Sequence, residues 1–155
     1  MDKKYTHIFF DLDNTLYDFD TNAYHAMLEA FTQLGIISEL PSFDAFFKVY
    51  SGINDELWAL YRENKITKEV LRGLRFERSL DTFGIKPNIP FTEIDDLYLK
   101  KMTQQTALFP ETITVLSELK KRGYQLHIIT NGFKEVQSDK LRNTGLNMLI
   151  KNVFI

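Results

Sequence analysis

Two acidic residues lie one position apart at the end of a short apolar run near the start of the chain. Residues 9–16 read Phe-Phe-Asp-Leu-Asp-Asn-Thr-Leu, so Asp11 and Asp13 follow the aromatic pair directly. A carboxylate is too costly to bury in a strand unless it is paired, hydrogen-bonded or metal-bound, which places both acids where the strand leaves the sheet. Because side chains alternate, Asp11 and Asp13 can face one crevice while Leu12 packs on the other side. The pattern predicts a site with two carboxylates and one cation.

A second polar segment ends a β-branched run much later in the chain. Residues 125–130 read Gln-Leu-His-Ile-Ile-Thr, and Asn131 and Gly132 follow as a strong turn signal. Alone, Thr130, Asn131 and Gly132 are more often an ordinary turn. Adjacent parallel strands, however, bring their carboxyl ends to one edge of the sheet, where open α/β sheets bind ligands. This segment is therefore expected beside the two acids, despite its distance in sequence.

The periodicity of apolar residues predicts the elements that must position these groups. Strands are predicted over 7–12 and 125–130, and residues 152–155 look like the start of a third strand. Helices are predicted between them and after the second strand, over approximately 20–34, 43–64, 68–83, 92–106, 110–122 and 134–143. Strand, helix, strand, helix, strand implies a parallel sheet with right-handed crossovers. The fold class predicted is α/β, with a long helical insertion after the first strand.

Composition limits the range of functions. The chain has 155 residues, 44% of them hydrophobic, which is enough to bury a core. The net charge of −2, with Lys and Arg spread along the chain, gives no electrostatic footprint for a nucleic-acid polymer. The sequence contains no Cys, which excludes disulfides and thiolate metal sites. No apolar stretch approaches the roughly 20 residues that span a bilayer, so we expect a cytoplasmic protein without a membrane partner.

Together, the segments Asp11-Leu12-Asp13-Asn14-Thr15 and Thr130-Asn131-Gly132, with helices between them, resemble the haloacid dehalogenase (HAD) superfamily of phosphohydrolases. Residues 54–76, Thr-Asn-Gly-Phe at 130–133 and Thr-Gly-Leu at 144–146 resemble its pyrimidine 5′-nucleotidase branch, which hydrolyses nucleoside monophosphates. The resemblance implies a Rossmann-like core made of residues 1–16 and 107–155. It implies a helical cap over residues 17–106.

The resemblance also implies a mechanism, which is Mg²⁺-dependent hydrolysis of a phosphomonoester. Asp11 would attack phosphorus to form an aspartyl-phosphate, and Asp13 would give a proton to the leaving alkoxide and later take one from water. Mg²⁺ would be held by Asp11 and Asp13, the latter through its backbone carbonyl. Thr130, Asn131 and Gly132 would bind the phosphoryl oxygens. The expected partner is a small phosphorylated metabolite, which the resemblance to the pyrimidine 5′-nucleotidase branch narrows to a nucleoside monophosphate.

The same resemblance assigns substrate recognition to the helical cap. Asn54, Trp58 and Arg75 are the cap residues expected at the substrate. Each has a structural alternative, because Trp58 lies at helical spacing suited to core packing and an Arg on a helix is usually solvated or paired. The three histidines, His7, His25 and His127, share no metal-ligand spacing, and the two predicted to lie in strands, His7 and His127, are expected to be structural.

The family pattern is incomplete over these 155 residues. Its third motif, a Lys after the third strand, and its fourth, an acidic pair after the fourth strand, have no counterpart before Ile155. Lys140 and Lys151 are the nearest cations, and neither is assigned to the missing role. The chain is therefore interpreted as the N-terminal part of a longer phosphatase, or as a truncated relative that self-associates through an exposed sheet edge. By itself it is expected to lack part of the catalytic set.

Two other functions stay open, and a third is disfavoured. A non-catalytic phosphate-binding or interaction module fits the missing motifs. A sugar-phosphate mutase or phosphatase shares both acids and a helical cap. A dehalogenase is disfavoured, because those relatives lack the second acid when no leaving alkoxide needs a proton, and Asp13 is present here.

Overall fold

The structure is a computed structural model that describes residues 4–155, and its sheet has three parallel strands. They are β1 (His7–Phe10), β2 (Gln125–Ile129) and β3 (Asn152–Phe154), arranged in the order β1-β2-β3. Phe10 lies opposite Ile128, and Ile129 lies opposite Phe154. Because both pairings are parallel, the carboxyl ends of all three strands meet at one edge. The predicted α/β fold class is confirmed.

The rest of the described chain is mostly helical. Its α-helices are α1 (Phe19–Gln33), α2 (Phe43–Arg62), α3 (Lys68–Asp81), α4 (Phe91–Gln104), α5 (Thr112–Lys121) and α6 (Lys134–Asn143). Short 3₁₀ helices cover Ile36–Glu39 and Leu146–Met148. Side-chain caps explain two of the starts, because Ser42 accepts the N–H of Ala45 ahead of α2, and Thr67 accepts the N–H of Val70 ahead of α3. None of the described helices is long and apolar enough to span a membrane.

The chain divides into two compact units. One consists of Met1–Ala23 and Thr103–Ile155, and it holds the sheet with α5 and α6. The other, Tyr24–Met102, holds most of α1 and α4 together with all of α2 and α3. We call them the sheet unit and the helical unit. The assignment of residues 1–16 and 107–155 to a catalytic core and of 17–106 to a cap stays a prediction.

Aromatic side chains fill the interior of the helical unit. The buried members, each no more than 2% exposed, are Phe31, Phe46, Tyr50, Phe76 and Tyr98. Ring centroids lie 4.9 Å apart for Phe31 and Phe46, and 5.3 Å apart for Tyr50 and Phe76. Contacts at these distances stabilise a packed core beyond the burial of area alone. Three of the 13 Phe residues of the sequence lie in this interior.

One face of the sheet carries a row of stacked rings around His127. Its ring lies 4.8 Å from that of Phe9 and 5.1 Å from that of His7. The Nδ2 of Asn152 lies 3.3 Å from Nδ1 of His127, and Nε2 of His127 lies 2.8 Å from Nδ1 of His7. An amide N–H can only donate, so Nδ1 of His127 accepts and its proton resides on Nε2, which donates to His7. The neutral form of His127 is therefore the one that can accept from Asn152 and donate to His7 at the same time.

This arrangement predicts an acid-sensitive sheet. Burial, then the nearby His7 and Lys151, lowers the pKa of His127 below its usual value of about 6.5. A group with a lowered pKa in the folded state contributes stability that is present above the unfolded pKa and is lost as pH falls through the folded one. We expect the thermal midpoint to fall between about pH 7.5 and about pH 5, and His127→Phe to flatten that fall. Thermal melts followed by circular dichroism measure it.

His25 supplies the matched control for that experiment. It lies exposed on α1 in the helical unit, 5.6 Å from the ring of Tyr24. His25→Phe removes an imidazole without touching the sheet, so its melts should keep the wild-type dependence on pH. Equal pH dependence in wild type and His127→Phe would contradict the assignment of acid sensitivity to His127.

Candidate active site

The loop after β1 carries both predicted acids. Asp11 follows the strand directly and is exposed, Leu12 is fully buried, and Asp13 is half-buried. The chain then turns sharply at Asn14, whose φ of 58° lies in the left-handed region that Asn tolerates better than most residues. The backbone N–H of Leu16 donates to the carbonyl of Leu12 at 3.0 Å. The turn anchors the loop while leaving the two acids at the edge of the sheet.

Asp13 and Thr130 meet through a residue of α6. Gln137 donates from Nε2 to Oδ2 of Asp13 and to Oγ1 of Thr130, at 2.8 Å in each case. Lys140 donates from Nζ to Oδ1 of Asp13 at 2.7 Å. The backbone N–H of Gly132 donates to Oγ1 of Thr130 at 3.2 Å. Two groups separated widely in sequence therefore share one hydrogen-bonded network, here called the Asp13 network, which consists of Asp13, Thr130, Gly132, Gln137 and Lys140.

The cation of that network is buried. The Lys140 side chain is 3% exposed, and Nζ lies 4.7 Å from the ring centroid of Tyr17 and 5.1 Å from that of Phe19. Burial lowers the pKa of Lys140, and the charge of Asp13 opposes that shift. Burial and then the charge of Asp13 raise the pKa of the Tyr17 hydroxyl, so the Tyr17 side chain stays neutral beside the Lys140 ammonium. A cation in such surroundings needs a counter-charge, which Asp13 provides.

Asp11 has a different environment. Its carboxylate is exposed, and Oδ2 accepts a hydrogen bond from Oγ1 of Thr15 at 3.3 Å. Mg²⁺ prefers oxygen ligands and usually keeps several waters, with one or two carboxylates and a substrate phosphate completing its shell. Over residues 4–155 there is no cluster of three or more His, Cys, Asp or Glu side chains that could hold a metal. Asp11 fits the carboxylate part of a Mg²⁺ shell, whereas both oxygens of Asp13 already accept protein hydrogen bonds.

The three predicted substrate residues lie in the helical unit. Arg75 is 3% exposed and donates from Nε to Oδ1 of the fully buried Asp95 at 2.8 Å. Asn54, 5% exposed, accepts at Oδ1 from Nη1 of Arg75 at 3.4 Å. Trp58 is half-buried, with its ring edge-on to that of Tyr61. Arg75 and Asn54 thus belong to a buried polar cluster, and a substrate role for these three residues stays a prediction.

Sequence reasoning missed Gln137 and gave Lys140 no role. Four positions of α6 are buried and form one stripe of the helix: Val136, Gln137, Lys140 and Leu141. A Gln and a Lys on an otherwise apolar stripe must find partners, because buried polar groups are almost always hydrogen-bonded. These two polar residues on the stripe, together with the preceding strand that ends at Thr130, are the sequence signal that could have identified Gln137 and Lys140 as site residues.

Comparison with known proteins identifies a family. The sequence model of the haloacid dehalogenase-like hydrolases matches residues 5–155. Pyrimidine 5′-nucleotidase PynA of Streptococcus pneumoniae is 30% identical over 151 residues, which cover 97% of this chain and 61% of that protein. Pyrimidine 5′-nucleotidase YjjG of Escherichia coli is 27% identical over 143 residues, covering 92% of this chain and 59% of that protein. The chain therefore spans about 60% of the length of these curated relatives.

A solved structure supports the same relationship. The HAD-hydrolase YfnB of Bacillus subtilis, in a crystal form bound to magnesium, matches with a TM-score of 0.84 and 26% identity. The match covers 98% of this chain and 64% of the YfnB chain. Sequence and structure thus agree on a shared fold.

Proposed function

Since the chain belongs to the haloacid dehalogenase-like hydrolases, we propose that it carries the nucleophile and the general acid of a Mg²⁺-dependent phosphatase for nucleoside 5′-monophosphates. One observation carries the proposal. Asp13 and Thr130 bond to the same nitrogen of Gln137 at the sheet edge where Asp11 leaves β1. The arrangement brings the Asp13 carboxyl and the Thr130 hydroxyl to the edge that also carries the exposed Asp11 carboxylate, which supports roles for all three in phosphoryl transfer.

The first half of the reaction transfers the phosphoryl group to the protein. A carboxylate oxygen of Asp11 attacks phosphorus, and the bond between phosphorus and the ester oxygen breaks. Asp13 enters this step as a carboxylic acid, gives its proton to the departing oxygen, and becomes the carboxylate that pairs with Lys140 in the structure, so the nucleoside leaves as a neutral alcohol. The products are an aspartyl-phosphate at residue 11 and an ionised Asp13.

The second half restores the protein. A water molecule attacks the phosphorus of the aspartyl-phosphate while Asp13 takes one of its protons. The bond between phosphorus and the Asp11 oxygen breaks, inorganic phosphate leaves, and the Asp11 carboxylate is regenerated. Asp13 is protonated again, so protons and charges balance over the cycle.

Other groups hold the phosphoryl oxygens. Thr130 and the backbone N–H of Asn131 are the proposed donors on the β2 side. The Asp11 carboxylate and the backbone carbonyl of Asp13 would hold Mg²⁺, which, when bound, supplies positive charge against the phosphoryl oxygens. The names of PynA and YjjG support a pyrimidine nucleoside monophosphate as substrate.

Phosphate release from a panel of nucleoside 5′-monophosphates tests the proposal. We expect slow release in the presence of Mg²⁺, because the third and fourth motifs of the family have no counterpart in these 155 residues. We expect loss of release on chelation with EDTA and none above background for Asp11→Asn, because an amide cannot serve as the nucleophile. Asp139→Asn is the matched control, since Asp139 lies on α6 and pairs with Arg142 away from the Asp13 network. Wild-type protein that releases no more phosphate than Asp11→Asn from any nucleotide would refute the proposal.

A further inference from the structure

The Thr130 hydroxyl has its acceptor capacity filled. Its oxygen accepts from Nε2 of Gln137 at 2.8 Å and from the backbone N–H of Gly132 at 3.2 Å. Both partners can only donate, and a hydroxyl has two lone pairs and one hydrogen. The hydrogen of Thr130 must therefore point away from Gln137 and Gly132. A hydroxyl whose remaining function is donation suits an anionic oxygen.

The Asp13 carboxylate is fixed at both of its oxygens. Lys140 holds Oδ1 and Gln137 holds Oδ2, so the plane of the carboxylate is set by two donors from one helix. Residues 137 and 140 are three apart and share one face of α6. Their side chains are 1% and 3% exposed, so both are ordered by packing.

Both hydrogen bonds that the Gln137 amide makes come from its Nε2. Its Oε1 is buried and has no hydrogen-bond partner among the residues that the structure describes. Glycine at position 132 makes room for it, because a Cβ there would lie 2.5 Å from Cδ and 2.9 Å from Cγ of Gln137. An unpaired buried acceptor is unfavourable. The two hydrogen bonds from Nε2 must therefore outweigh the cost of leaving Oε1 unpaired.

We propose that Gln137 and Lys140 are positioning residues that set the hydrogen-bond directions of the site. Lys140 and Gln137 together aim the Asp13 carboxyl at the leaving oxygen, and Gln137 makes Thr130 a donor to a phosphoryl oxygen. The inference rests on the proposed function and deepens it. It requires that loss of Lys140 impairs protonation of the leaving group, and that loss of the Gln137 donor impairs binding of phosphate.

Single-turnover kinetics with two substrates separate these effects. Uridine 5′-monophosphate has an alkoxide leaving group that needs a proton, whereas p-nitrophenyl phosphate has a leaving group that departs without one. For Lys140→Met we expect release of uridine to slow by about 10-fold or more and release of p-nitrophenol by about twofold or less. Lys121→Met, which removes an exposed lysine at the end of α5, is the matched control and should leave both rates unchanged.

Calorimetry with inorganic phosphate and Mg²⁺ tests Gln137 without turnover. Gln137→Glu keeps the shape but replaces the donor with an acceptor, which repels Asp13 and draws the Thr130 hydrogen toward itself. Gly132→Ala displaces the same amide sterically. We expect the dissociation constant for phosphate to rise by about 10-fold in both variants and to be unchanged in Lys121→Met.

The outcomes distinguish the inference from the proposed function. Wild-type protein that neither releases nor binds phosphate overturns both. Wild-type protein that binds or releases phosphate, with Lys140→Met and Gln137→Glu behaving like Lys121→Met, overturns the inference alone. If the variants slow both substrates equally and also melt at a lower temperature, the two residues are merely structural and the inference is again overturned.

Discussion

Replacing Asp13 with Asn is expected to slow the single-turnover release of uridine from uridine 5′-monophosphate by about 10²–10⁴-fold. An amide cannot give a proton to the departing alkoxide, so the nucleoside would leave as an unstable anion. Release of p-nitrophenol from p-nitrophenyl phosphate should slow far less, because that leaving group needs no proton. Rapid-quench measurement of both products gives the two rates on one protein.

The second half of the reaction gives Asp13→Asn a further signature. Without a base to take a proton from water, the aspartyl-phosphate at Asp11 should persist. A burst of p-nitrophenol equal to the amount of protein, followed by slow turnover, would show it, and intact mass would show one added phosphoryl group. Asp139→Asn should show neither change. Equal slowing of both substrates in Asp13→Asn, with no burst, would remove Asp13 from the role of general acid and base.

The different surroundings of the two acids explain why one change should affect protonation and the other nucleophilic attack. Asp11 is exposed and accepts from Thr15, which leaves lone pairs for attack on phosphorus. Asp13 is anchored at both oxygens by Gln137 and Lys140. Carboxylates placed in contrasting environments generally take contrasting roles. The two aspartates, two positions apart in the chain, are thereby proposed to serve different steps of the reaction.

Local sequence signals predicted the elements and the edge where the polar groups meet. Short apolar runs ended by turn signals predicted the three strands, and helical periodicity predicted the six α-helices of the described residues. The two 3₁₀ helices were not predicted. Ends were less accurate, because local backbone geometry decides them. The strand predicted over 7–12 stops at Phe10, and the helix predicted over 43–64 stops at Arg62, two residues before Asn64 takes a φ of 56°.

Tertiary partners were harder to predict. Lys140 has an ordinary helical position in the sequence, and only the folded chain places its ammonium against Asp13. Arg75 was predicted at the substrate by resemblance, yet its guanidinium pairs with Asp95, whose position on another helix no local pattern specifies. Partners that lie far apart in sequence depend on how helices pack, which periodicity alone leaves open.

That buried pair leads to the largest stability effect expected in the helical unit. Arg75 and Asp95 are 3% and 0% exposed at their side chains, and the guanidinium lies 5.2 Å from the ring centroid of Tyr98. Arg72 also pairs with Asp95, through Oδ2, so Arg75→Met takes away one cation and leaves another. Breaking a buried pair typically costs about 3–5 kcal/mol, and the remaining partner places this case near the lower end. We expect Arg75→Met to lower the free energy of unfolding by about that amount, measured by urea titration followed by circular dichroism.

Arg78→Met is the matched control on the same helix. Arg78 pairs with Glu56 at 3.0 Å, with side chains 41% and 55% exposed, and exposed pairs contribute about 0–1 kcal/mol. If Arg75→Met is as stable as Arg78→Met, the buried pair does not hold the helical unit together. Unchanged stability with a raised KM for uridine 5′-monophosphate would instead support Arg75 at the substrate, as the family resemblance predicts. The two variants therefore separate a structural arginine from a recognition arginine by measurements that do not depend on each other.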